Sequence, residues 1–77
     1  MKIDEPALIA QVRKKLGLNQ HDAGAIFGGG ANGFSRYEHG KAKPPRSLVL
    51  LFRLLDRHPQ LIDEVTDNNN HRQENNS

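Results

Sequence analysis

Apolar residues recur along this chain at helical rather than alternating spacing. Leu8, Val12 and Leu16 stand four apart, followed by Ala23, Ile26 and Phe27, then Phe34 and Tyr37. Leu48, Leu51, Phe52 and Leu55 form the next stripe, and Leu61, Ile62 and Val65 the last. Spacings of three and four place side chains on one face of a helix. No stretch alternates as a half-buried strand would. The pattern predicts an all-α fold of five short helices.

The breaks between stripes agree with that division. Asp4 is placed to cap the first helix, with Glu5 and Pro6 in its first turn, where a carboxylate suits the dipole and proline lacks only an orphan N–H. Arg13, Lys14 and Lys15 precede Gly17, which stops the helix. Asn19 can cap the second helix, and Gly28-Gly29-Gly30 breaks it. The third begins around Gly30–Ala31 and ends at Gly40. Pro44 and Pro45 interrupt any helix through the connector Lys41–Pro45. The fourth ends near Arg57-His58, and Pro59 suits the first turn of a fifth. The expected division is a domain over 1–65 and a disordered polar tail over 66–77, where asparagine is frequent and no apolar residue occurs.

A domain of this size buries a small core, so association between copies is a natural supplement. With no cysteine in the sequence, disulfides and thiolate zinc sites are excluded. No apolar run approaches the roughly 20 residues of a membrane span, and Met1-Lys2-Ile3 followed by two acids reads as a cytosolic start. The net charge of +2 conceals an uneven distribution. Arg13–Arg57 holds nine Lys/Arg against three acids, while the flanks hold two against six. A basic centre suits a phosphate-binding face. The four histidines lack metal-ligand spacing and no nucleophile is paired with a base, so neither a metal, a cofactor nor an enzymatic role is expected.

The sharpest pattern lies in Gln20–Gly40. With Gln20 as the first position of a twenty-residue helix-turn-helix window, Gly24 is the fifth, Gly28 the ninth, Phe34 the fifteenth and Tyr37 the eighteenth. The fifth position is where the two helices cross, so only a small side chain fits. The ninth closes the first helix with a left-handed residue, which glycine adopts without steric cost. The fifteenth and eighteenth turn inward. Asn32 and Arg36, four apart, are then left on the outer face, where Asn can pair with adenine and Arg with guanine in the major groove. They are the candidate base contacts. Gln20, Gly29, Gly30, Ser35, Lys41, Lys43 and Arg46 are candidate phosphate contacts. Glu38 is better suited to pairing with a nearby basic residue or capping a turn than to touching DNA.

The window Gln20–Pro44, with its Ser35-Arg36-Tyr37-Glu38-His39-Gly40-Lys41 ending, resembles the Xre/Cro-type (lambda-repressor-like) helix-turn-helix family. Arg13-Lys14-Lys15-Leu16-Gly17-Leu18, Phe27-Gly28-Gly29-Gly30, Asn32-Gly33-Phe34-Ser35-Arg36-Tyr37-Glu38 and Leu55-Asp56-Arg57-His58-Pro59 resemble the C-terminal domain of MqsA-type (YgiT-like) antitoxins more closely, over roughly residues 5–65. The resemblance implies a homodimeric repressor that binds a palindromic operator and controls its own toxin–antitoxin operon, in the cytoplasm at the nucleoid. It points to the same Asn32 and Arg36 for base contact. It also implies a separate N-terminal zinc domain that neutralises an mRNA-cleaving toxin. These 77 residues have no cysteine for such a domain, so the expectation is either a C-terminal piece or a stand-alone regulator. The alternative is a protein-interaction module that binds a toxin or other subunit through Leu48–Val65, a stretch with more apolar residues than one buried stripe needs.

Overall fold

Capping chemistry sets the helix boundaries. The computed structural model describes residues 4–66, and all regular structure among them is helical. Helix α1 runs Glu5–Lys15, α2 Gln20–Phe27, α3 Gly30–Glu38 and α4 Arg46–Arg57. A 3-10 turn, Pro59–Leu61, continues into a fifth helical segment over 62–66. The Oδ1 of Asp4 accepts from the N–H of Ala7 at 3.0 Å, and the Oδ1 of Asn19 from that of Asp22 at 2.7 Å. Each removes an orphan donor from a helix start. Helices α1 and α3 end alike. Gly17 and Leu18 donate back to the carbonyls of Lys14 and Arg13, and Gly40 and Lys41 to those of Tyr37 and Arg36. Both are the paired reverse bonds of a Schellman ending.

The core is apolar throughout: Leu8, Ile9, Val12, Ala23, Phe34, Leu48, Val49, Phe52 and Leu55 are its buried members. Helix α1 packs on both α3 and α4, and α2 packs on α3. All four aromatic residues meet where α2, α3 and α4 converge. Phe27 stands edge-on to Phe52 at 5.0 Å between centroids, and Phe34 edge-on to Tyr37 at 5.5 Å. Such edge-to-face pairs add roughly 0.5–1.5 kcal/mol beyond the area they bury.

Some expectations change in detail. Ile9 joins Leu8 and Val12 in the core, whereas Leu16 packs only partly against it. Ile26 is half-buried and lies outside the central cluster. The fifth helical segment includes Thr66, whose hydroxyl donates to the Ile62 carbonyl at 3.1 Å. The expected polar tail otherwise lies outside the described residues.

Two glycines fix how α2 meets α3. A Cβ on Gly24 would stand 2.3 Å from the carbonyl carbon of Gly30, closer than real Cβ contacts come. The obstacle is backbone, so no rotamer change relieves it. The turn itself departs from expectation. Gly28 has positive φ (98°), but its ψ of 166° makes it extended rather than left-handed. Gly29 (φ 91°, ψ −21°) is the left-handed residue, and it caps α3. The conformation of Gly28 is open essentially to glycine alone, at a cost of about 1–3 kcal/mol for other residues.

Gly24→Ala should therefore destabilise the domain by about 3 kcal/mol or more, the upper range for overpacking, because a helix must move. Thermal unfolding checks this. A melting temperature within a few degrees of wild type would show that α2 and α3 separate easily.

Candidate nucleic-acid interface

With Phe34 fully buried and Tyr37 partly so, the rotation of α3 is fixed. Asn32 and Arg36 lie on the opposite side, both exposed, one turn apart. Gly29 caps α3, with no side-chain cap, so Asn32 is not used as a helix cap. Arg36 forms no ion pair among the described residues, since Glu38 is engaged elsewhere. Both side chains thus stand outward, with no hydrogen-bond or ion-pair partner for their polar groups among the described residues. Ala31 and Gly33 beside them keep that face of α3 narrow.

The candidate phosphate contacts are spread over the starts of α2, α3 and α4, the body of α3 and the connector after it. Gly29 and Gly30 are exposed at the start of α3. Beyond its end, Lys41 and Lys43 project from the connector and Arg46 begins α4, all three exposed. The Schellman bonds fix the backbone of Lys41 against α3. Ser35 is half-buried, and its hydroxyl lies 3.5 Å from Nδ1 of His39, which also contacts the Ser35 carbonyl at 2.7 Å.

Gln20 is less free than the sequence suggested. Its Nε2 donates to Oε1 of Glu38 at 3.0 Å. That same carboxylate takes two bonds from Arg13, Nε to Oε2 at 2.6 Å and Nη2 to Oε1 at 3.0 Å. Arg13 also donates through Nη1 to the Leu18 carbonyl at 2.9 Å. The result joins α1, the loop after it, α2 and the last residue of α3. The Glu38 side chain is 7% exposed and that of Arg13 12%. The expected basic partner of Glu38 is therefore Arg13, 25 residues away in sequence. Sequence spacing alone carried no trace of that pairing.

Burial works to raise the Glu38 carboxyl's pKa. The bonds from Arg13 and Gln20, with the charges of Arg13 and Lys14, outweigh it and hold the group below its ordinary value. Removing one partner of this part-buried pair strands the other, a loss of about 1–3 kcal/mol.

These features define a small all-helical helix-turn-helix domain whose second helix, α3, turns Asn32 and Arg36 outward. The family described as "Antitoxin component of bacterial toxin-antitoxin system, MqsA" matches residues 1–66. The chain belongs to that family. Antitoxin MqsA of Escherichia coli (strain K12) is 55% identical over 60 residues, which cover 78% of this chain and 46% of that protein. The chain thus spans about half the length of the curated relative it matches. No described helix is long and apolar enough to cross a membrane.

Acid stability tests the Glu38 ion pair. Because its folded pKa is lowered, its contribution is present above the ordinary glutamate range and is lost as pH falls through the folded value. Wild type should lose melting temperature on acidification through that range. Glu38→Gln should begin less stable and show a shallower acid loss. Parallel curves for the two proteins would remove Glu38 from the acid response.

Proposed function

We infer that this chain is a sequence-specific double-stranded DNA-binding regulator, an autorepressor of a toxin–antitoxin operon, reading the major groove with α3 as a homodimer. The observation that carries this reading is the placement of Asn32 and Arg36. They are exposed, without a polar partner among the described residues, and one turn apart on a helix whose other side is held by Phe34 and Tyr37. Membership in an antitoxin family supplies the operon context.

In this reading Asn32 and Arg36 contact base edges. Gln20, Gly29, Gly30, Ser35, Lys41, Lys43 and Arg46 hold the flanking phosphates. Two copies place their α3 helices in successive major grooves, about 34–36 Å apart, on a palindrome. The protein acts in the cytoplasm, at the nucleoid.

The support for association is now specific. Of the apolar residues in α4, Leu48, Val49, Phe52 and Leu55 are buried, and Leu51 packs partly against them. Leu50 and Leu54 remain 51% and 46% exposed, four apart on one side of the helix. The same face supports a second reading, in which it meets a toxin or another subunit. Sedimentation of the chain with and without DNA separates the two. A dimer that Leu50→Glu/Leu54→Glu converts to a folded monomer supports the first. A monomer indifferent to DNA supports the second.

Asn32→Ala or Arg36→Ala should cost about 1–3 kcal/mol of discrimination at one base position each, leaving weak, salt-sensitive binding. Lys43→Ala should weaken binding to all sequences alike and reduce the salt slope by about one. Affinities for duplexes selected by the wild-type chain, and for scrambled ones, check both. Undiminished discrimination in both α3 variants would overturn the assignment.

A further inference from the structure

We propose that Glu38 is a positioning residue for DNA binding, holding the side-chain amide of Gln20 in the orientation that meets a backbone phosphate. The inference rests on the DNA-binding reading and adds to it a residue that does not touch DNA. A carboxylate only accepts hydrogen bonds, so the amide must turn its nitrogen toward Glu38. The observed bond from Nε2 to Oε1 at 3.0 Å uses one of that nitrogen's two hydrogens. The amide is planar, so with its first N–H bonded to Glu38 the second lies in the same plane and points away from that carboxylate oxygen. Gln20 is the first residue of α2 and is only half-buried, so the second N–H belongs to a side chain with access to solvent.

Three observations make this more than a structural contact. Glu38 is itself immobilised: Arg13 grips both carboxylate oxygens, and a further bond from Arg13 to the Leu18 carbonyl anchors that guanidinium. A glutamine bound to such an anchor has lost its rotamer freedom before any ligand arrives, and glutamine is among the side chains with most to lose. Arg13 also neutralises the carboxylate, which would otherwise repel a phosphate approaching Gln20. Finally, Glu38 ends the helix that carries Asn32 and Arg36. The same carboxylate therefore ties the phosphate donor on α2 to the base readers on α3. The register between them is fixed within the free protein.

The probe is a duplex enriched by the 77-residue chain from a random-sequence pool. Each of its phosphates is replaced in turn by an uncharged methylphosphonate. Wild type should lose about tenfold in affinity at one phosphate per half-site, the loss expected for a hydrogen bond to a charged group. Gln20→Met should bind the unmodified duplex about tenfold more weakly and be insensitive at that same phosphate. So should Arg13→Met/Glu38→Met, which removes the ion pair as a unit because apolar replacement of both partners is often tolerated. Glu38→Ala serves as the second Glu38 variant, and melting curves confirm which of the two is folded at the assay temperature. Combining Gln20→Met with the folded Glu38 variant should weaken binding no further, as expected for residues that act as one unit.

A merely structural Glu38 would lower the melting temperature and leave the phosphate profile unchanged, which would overturn the proposal. So would multiplicative losses in the combined variant, or a wild-type phosphate profile in Gln20→Met. Failure of wild type to enrich any duplex would instead overturn the DNA-binding reading itself, and this inference with it.

Discussion

The contact between Gly24 and Gly30 governs the rest of the domain. At that crossing the backbone of one helix occupies the space that a Cβ on the other would fill. So close an approach sets the distance between α2 and α3, and the turn must then reverse the chain in very few residues. Gly28, Gly29 and Gly30 all take positive φ to do it. Once α3 lies that close, Phe34 reaches Phe27 and Phe52, and Tyr37 closes over the turn with its hydroxyl near Gly29. The outer face of α3 follows from these contacts. Asn32 and Arg36 are exposed because the residues between them are not.

Much of this geometry was legible in the sequence, because the residues responsible lie close together. A small residue at the crossing, glycine at the turn and two inward aromatic residues occupy a single twenty-residue window, and each has a local steric reason. Caps were legible for the same reason: Asp4 and Asn19 reach donors only three residues away. Less legible was which partner each glycine serves. Gly24 read as small because helices cross there, but only the structure shows that the opposing atoms belong to Gly30. The left-handed role expected of Gly28 falls one residue later, since spacing cannot divide a three-glycine turn among its members.

Contacts between distant residues were not legible. Nothing in the spacing ties Glu38 to Arg13, or Lys15 to Asp56, whose side chains meet at 2.8 Å. Gln20 consequently read as a free phosphate donor, whereas its amide is half-committed to a carboxylate. The apolar surplus in α4 had the same limit. Composition showed too many leucines for one stripe, but only packing identifies Leu50 and Leu54 as the two left outside.

Internal pairing also changes what the charge distribution means. Arg13 is taken by Glu38 and largely withdrawn from solvent, whereas Lys15 pairs with Asp56 at the surface. Two of the three central acids are neutralised in these pairs. Lys14, Arg36, Lys41, Lys43, Arg46, Arg53 and Arg57 remain exposed, with Asp22 the one central acid not bonded to Lys or Arg among the described residues. The net charge of the centre is unaltered, but its surface becomes more uniformly positive. Phosphate recognition depends on the charge a ligand meets at close range, because salt screens the remainder within about 10 Å. Folding thus sharpens the basic centre by pairing its acids, and Glu38, turned inward, is the clearest case. Its charge is cancelled inside the domain while its oxygens hold an amide donor at the surface.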